Sequence, residues 1–186
     1  MKKLIAMLLV VMLVLGLAAC GNAGTTESKE PAPASALEIL ENVWAKYAED
    51  EKFFVMGGDM NNMVDGAPGK FDVADTDGMT YTLLVPADQV ANVDDAASMV
   101  HGMLANNFTC GVFHVADAAA FAETMKAAVQ GNQWMCGMPE QLLVQTIGGE
   151  YVLVAFGIGD AMTPFTTHLA EAYPNATTVC NEALAG

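Results

Sequence analysis

The N-terminal stretch of the chain determines which residues remain to form a folded domain. Lys2 and Lys3 give a positive start, residues 4–17 are apolar and uncharged, and Ala18 and Ala19 follow. This layout is typical of a secretory signal peptide, whose apolar part is too short to span a bilayer comfortably. The sequence therefore predicts a signal peptide at residues 1–19. The remaining 167 residues are enough for one domain with its own core.

Cys20 directly follows the small residues, and this position changes the meaning of the predicted cleavage site. The stretch resembles the bacterial lipobox. The resemblance implies that the thiol of Cys20 receives a diacylglyceryl group and that cleavage leaves Cys20 as the new N-terminus. Two acyl chains, at about 0.8 kcal/mol per buried CH₂, hold a protein stably on a membrane. We therefore expect a lipid-anchored protein on the outer face of the cytoplasmic membrane.

The charge of the chain excludes two classes of partner. The chain has 22 acidic residues, and its seven basic residues are all lysines. Five lysines remain after residues 1–19 are removed, which gives a formal charge of −17. A nucleic-acid-binding protein needs cationic side chains for the phosphates, and a polybasic grip on anionic lipids needs them as well. We expect no nucleic acid as a partner, and membrane contact only through the lipid.

Three regions follow from composition and periodicity. Residues 1–19 are the signal peptide, and residues 20–34 are the lipidated cysteine and a polar, flexible tether. Residues 35–186 are predicted to form a single α+β domain. Ser35 and Glu38 fit a capping box at the start of an amphipathic helix.

The pattern after this first helix predicts a long loop and then the order β-β-α-β-β-α. We expect an antiparallel sheet with the helices packed on one face. Residues 73–85 fit either a helix or a strand, because β-type residues follow a helix-capping aspartate. Residues 177–184 are predicted to add a short helical tail.

Three methionines lie in the long loop, at Met56, Met60 and Met63. Methionine side chains adapt to irregular surfaces, so the three could form a soft binding surface. The alternative, which we favour here, is that they fold back as a lid on the core.

The first predicted hairpin allows a test for a metal site. With Asn106 and Asn107 at the turn, Met103 would lie opposite Cys110, and one face would collect a set of soft and imidazole ligands. That set is Met99, His101, Met103, Cys110 and His114. Thiolate, thioether and imidazole together suit Cu(I) or a similar soft ion. The commoner alternative is that methionine and cysteine fill the core, with the histidines at its edge.

Catalytic motifs are missing from the sequence. There is no GxSxG, HExxH or P-loop pattern. Trp134–Pro139 contains only one cysteine, so it lacks the second thiol that dithiol exchange needs. Cys110, Cys136 and Cys180 allow one disulfide and a free thiol, or three free thiols. The sequence predicts a protein that is not an enzyme.

Two further stretches, residues 62–71 and 133–137, combine with the lipobox in a family resemblance. Together they resemble small lipoproteins of Gram-positive gut bacteria, some of which are labelled bacteriocin transport accessory protein. Proteins properly described by that label are usually thioredoxin-like with a CxxC pair, which this chain lacks. Only Cys20 carries over as a functional residue.

Three hypotheses about function follow. The first is a lipid-anchored, non-enzymatic binding or accessory module for a protein or small-molecule ligand. The second is a soft-metal-binding protein that uses the hairpin face. The third, implied by the resemblance alone, is an accessory factor in bacteriocin or peptide export.

Overall fold

The computed structural model describes residues 32–184 and shows an α+β domain with four helices and eight strands. The predicted lipidation site Cys20, the signal peptide and most of the tether lie outside the described residues. The helices are α1 (Ala36–Trp44), α2 (Thr76–Tyr81), α3 (Ala118–Gln130) and α4 (Gly159–Ala172). The strands are β1 (Val55–Gly57), β2 (Val64–Asp65), β3 (Gly69–Phe71), β4 (Val93–His101), β5 (Phe108–Val115), β6 (Gln141–Ile147), β7 (Tyr151–Gly157) and β8 (Thr177–Ala183).

All eight strands belong to one antiparallel sheet. The antiparallel sheet is confirmed, but the sequence predicts only four of its strands, which correspond to β4–β7. The strand order is β2-β1-β4-β5-β7-β6-β8. The short strands β1 and β3 share one edge of β4, with β1 opposite residues 99–101 and β3 opposite residues 96–98. A Cβ added to Gly57 would lie 2.1 Å from the backbone nitrogen of Gly69. The two strands meet this closely because both positions lack a side chain.

The helices cover both faces of the sheet, so the expectation that they pack on one face is wrong. On the first face, α1 and α4 pack over Met99, Cys110 and Leu153. On the second face, α2 and α3 pack over a separate cluster that includes Phe113 and Val152.

The physical reason lies in the central strands. All seven residues of β7 are buried. Successive residues of a strand point to opposite faces, so a strand buried along its whole length needs cover on both sides. The two-layer arrangement expected from the sequence would have left one side of β7 in water.

Two regions differ from the expected secondary structure: the predicted long loop contains the short strands β1, β2 and β3, and the predicted helical tail is a strand. Of the predicted tail at residues 177–184, Thr177–Ala183 form β8 on β6, because β-branched Thr177, Thr178 and Val179 suit an extended strand. The ambiguous stretch at residues 73–85 contains the short helix α2, whose first turn is capped by the side chain of Asp75.

The sheet has two ends with different roles, which we call the proximal and the distal end. At the proximal end the chain joins the domain: Pro33 lies against the β6–β7 turn at Gly148, and the Ala36 N–H donates to Asp95 Oδ2 at 2.8 Å. At the distal end lie residues 102–107, which connect β4 to β5. The eight residues of β5 separate the two ends by about 23 Å, at ~3.3 Å per residue.

Candidate functional site

The five side chains proposed as metal ligands do not converge. Met99 pairs with Cys110, so the predicted register, with Met103 opposite Cys110, is wrong by four residues. The connection is longer than the predicted two-residue turn: β4 ends at His101, and residues 105–107 form a 3₁₀ turn. Met99 and Cys110 are fully buried in the core between the sheet and the helices α1 and α4. Burial raises the pKa of the Cys110 thiol well above its ordinary value.

The two histidines of the set lie at opposite ends of the sheet. His101 stacks on Phe53 at the distal end, and its Nδ1 accepts from the Met103 N–H at 3.2 Å. His114, at the proximal end, has Nδ1 at 2.5 Å from Asp94 Oδ1 and Nε2 at 3.9 Å from Glu150 Oε2. The two histidines are therefore separated by about six residue steps along the strands, which correspond to about 20 Å. Met99, Cys110 and His114 do lie on one face of the sheet, as predicted, but they are too far apart to bind one ion.

No group of three or more His, Cys, Asp or Glu side chains within residues 32–184 is arranged to hold a metal ion. The three cysteines of this part of the chain are free thiols, with Cys110 and Cys180 buried and Cys136 exposed.

Four large apolar side chains are exposed on segments that meet at the distal end, and we call them the distal surface. They are Phe54 (50% exposed), Met103 (84%), Leu104 (37%) and Met135 (80%). They come from the residue before β1, the β4–β5 connection and the α3–β6 connection. Exposed apolar groups that cluster mark interaction sites more often than single ones do.

Backbone hydrogen bonds hold these segments in place. The Gly102 N–H donates to the Phe54 carbonyl at 3.0 Å, and the Phe54 ring lies where a Cβ of residue 102 would be. Asn106 Nδ2 donates to the carbonyls of Met135 at 2.8 Å and Gly137 at 2.6 Å. One side chain amide therefore ties the β4–β5 connection to the α3–β6 connection. The segments are fixed while their apolar side chains remain in solvent.

Aromatic side chains support this surface from beneath. Phe53 makes an edge contact with Phe108, with centroids 5.2 Å apart, and Phe108 makes another with Phe165 at 5.0 Å. Tyr47 packs on His168 at 4.4 Å. Among the described residues, the buried hydroxyl of Tyr47 has no hydrogen-bond partner. Burial raises the pKa of Tyr47 above its ordinary value.

The methionine-rich loop is a second exposed apolar group. Met60 is 76% exposed and Met63 is 55% exposed, so the expectation that the methionines form a lid on the core is wrong for these two. The loop is held by the buried carboxylate of Asp59, which accepts from the N–H groups of Asn61, Asn62 and Asp72. Burial alone would raise the pKa of Asp59, but the hydrogen bonds outweigh it and keep that pKa below the ordinary value.

Met103, predicted as a metal ligand, is a surface residue, and the exposure of Phe54 and Met135 was not predicted. The signal for Met135 was present, because Trp134–Pro139 follows a helix stop and carries turn residues. The partner that positions it, Asn106, was assigned to a tight turn instead.

Comparison with protein-family models, curated proteins and solved structures finds no significant match to this chain. Among residues 32–184, no helix combines the length and the apolar character needed to cross a bilayer.

Proposed function

We propose that this protein is a lipid-anchored extracytoplasmic binding module, without catalytic activity, that engages a partner through the distal surface. The two successive ββα units provide the scaffold, and the N-terminal helix with its long connection completes it. The observation that supports this proposal best is the exposure of Phe54, Met103, Leu104 and Met135 on neighbouring segments held by hydrogen bonds. Fixed segments reduce the ordering cost that a partner would meet on binding.

The direction of chain attachment is consistent with this role. The described chain begins at the proximal end, where Pro33 contacts the β6–β7 turn. Pro33 and Ala36 both contact the proximal end, so the predicted tether enters the domain at the end of the sheet opposite the distal surface.

The methionine-rich loop is the second candidate contact surface. Met60 and Met63 are exposed, and Asp59 fixes their loop. An accessory role in peptide export, which the family resemblance implies, fits either surface.

Chemical crosslinking in intact Gram-positive cells tests the anchor and the surface in one experiment. We expect Cys20→Ala to move the protein to the medium or leave it uncleaved, because the acyl chains are lost. We expect Met103→Ser/Met135→Ser to stay in the membrane fraction and lose its crosslinked partner. The matched control is Met60→Ser/Met63→Ser, which removes two methionines of similar exposure.

Three results would contradict the proposal. Correct processing and membrane retention of Cys20→Ala would exclude the anchor. A crosslinked partner that survives the distal double substitution and disappears in the control would move the site to the methionine-rich loop. Turnover of a substrate by the purified protein, abolished by a point substitution, would show an enzyme.

A further inference from the structure

Acidic side chains flank the distal surface on two sides. On the side of Phe54, the turn after α1 carries the exposed residues Glu49, Asp50 and Glu51. On the side of Met135, the α3–β6 connection ends at exposed Glu140, whose carboxylate accepts from the Gly159 N–H at 2.9 Å, and Asp160 follows at the start of α4. Both acidic groups therefore belong to segments that run to the distal end of the sheet.

Few cations offset these carboxylates. Lys46 and Lys52 are the two lysines near the distal end in residues 32–184. Lys52 Nζ is 2.6 Å from Glu49 Oε1 and lies 5.9 Å from the Trp44 ring centroid. The potential around the distal surface is therefore negative, in keeping with the excess of acidic residues in the whole chain.

We infer that the distal surface binds a cationic amphipathic peptide segment of its partner. This inference rests on the function proposed above and names the chemistry of the partner. The apolar face of such a segment would cover Met103, Leu104 and Met135, and the flexible thioethers of the two methionines adapt to different apolar side chains. Its lysine or arginine side chains would lie beside the two carboxylate groups, which speeds association and selects against acidic partners.

Charge disfavours two other occupants. A second copy of this chain carries the same carboxylates around the same apolar residues, so an isologous contact would oppose like charges. A membrane with anionic headgroups would repel the carboxylates for the same reason.

Peptide titration against the full chain in nanodiscs of zwitterionic lipid tests the inference, with empty nanodiscs subtracted. The probes are an amphipathic leucine–lysine helix of about four turns, its leucine–glutamate counterpart and a scrambled leucine–lysine peptide. Fluorescence anisotropy should show the leucine–lysine helix binding at least about tenfold more tightly than either of the others. Added salt should weaken this binding, since charge complementarity contributes to it.

Two pairs of variants separate the apolar and the charged contributions. Met103→Ser/Met135→Ser should weaken the leucine–lysine helix about tenfold, while Met60→Ser/Met63→Ser should leave it unchanged. Asp50→Asn/Asp160→Asn should weaken it several-fold and reduce its salt dependence. The control Asp88→Asn/Glu123→Gln removes two exposed charges away from the distal end and should have little effect.

The outcomes distinguish failure of this inference from failure of the proposed function. Equal binding of the leucine–glutamate helix, or no effect of Asp50→Asn/Asp160→Asn, would overturn the cationic partner. The proposed function would then survive if the crosslink in cells still depended on Met103 and Met135. Self-association through the distal surface, seen by sedimentation and removed by the methionine variants, would replace the peptide with a second copy. If the methionine variants kept both the peptide binding and the crosslink in cells, this inference and the proposed function would both be wrong.

Discussion

The proximal and distal ends of the sheet use polar groups in opposite ways. At the proximal end, side chains hold other side chains and the start of α1: Asp95 accepts from the Ala36 N–H, and Lys70 Nζ lies 3.6 Å from its other carboxylate oxygen. His114 sits between Asp94 and Glu150. At the distal end, polar groups hold backbone: Asn106 binds two carbonyls, and His101 accepts from the Met103 N–H.

The consequence is a difference in what each end presents to solvent. At the proximal end, the polar side chains contact one another and the start of α1. The distal end fixes its loops through their backbones, which leaves Phe54, Met103 and Met135 exposed. A large apolar side chain in water does not stabilise the fold, so its position on a fixed loop favours a role in binding.

The largest effect that separates fold from surface should come from two methionines of similar chemistry. Met99 is fully buried on β4, and Met103 is 84% exposed in the connection that follows. Met99→Ala should lower the free energy of unfolding by about 2–5 kcal/mol, because it leaves a cavity in the core. Met103→Ala should lower it by less than about 0.5 kcal/mol. Urea denaturation of both variants measures the difference.

Two controls make this comparison decisive. Far-ultraviolet circular dichroism should show that Met99→Ala still folds, and Met99→Leu should recover most of the lost stability. An equal loss in the two alanine variants would mean that Met103 packs against the domain, and the distal surface would then lose a central member.

The two antiparallel hairpins of the sheet were predictable from the sequence. The packing of helices on both of its faces was not predicted. The signal was present in residues 151–156, which are all apolar, since a strand with no polar alternation is buried on both faces. A single layer of helices does not fit this pattern, because it covers only one face of the strand. The short strands β1, β2 and β3 have weak local signals, and their pairing depends on contacts such as the approach of Gly57 to Gly69.

The predicted register of the first hairpin depended on the role of Asn106, and the predicted metal site depended on that register. Asn106 has the residue type of a tight turn, but its side chain binds carbonyls some thirty residues away in sequence. Such a long-range contact leaves no periodic signal along the chain. Exposure of Met135 and Met103 was unpredictable for a similar reason, because methionine patterns alone do not tell core from surface.

A moderate effect should separate two adjacent aspartates at the proximal end. Asp95→Ala should lower the free energy of unfolding by about 1–2 kcal/mol, since the first N–H of α1 loses a carboxylate acceptor. Asp94→Ala is the control, because its side chain is 73% exposed and its contact with His114 lies at the surface. Exposed pairs contribute about 0–1 kcal/mol. If the control lost as much stability as Asp95→Ala, the proximal end would depend on its surface ion pairs and not on the contact to α1.

The smallest effect should come from the buried hydroxyl beneath the distal surface. Tyr47→Phe removes an oxygen that has no hydrogen-bond partner within residues 32–184, so stability near neutral pH should change by less than about 0.5 kcal/mol or rise slightly. The control is Tyr173→Phe, which removes the acceptor of the Asn42 amide and should cost about 0.5–1.5 kcal/mol.

The raised pKa of Tyr47 also predicts how the stability of the protein changes with pH. Burial first, and then the neighbouring Cys110 and Glu51, raise the pKa of Tyr47 in the folded state. The unfolded chain therefore loses the phenol proton at lower pH than the folded chain, and stability falls as pH rises above about 10. Tyr47→Phe should lose less stability than the wild type over that range in urea titrations. A large loss of stability at neutral pH would show that the hydroxyl has a partner, and the distal end would then contain an internal polar contact like those of the proximal end. An unchanged alkaline slope would show that the folded state does not retain the phenol proton, and the Tyr47 hydroxyl would then be open to solvent.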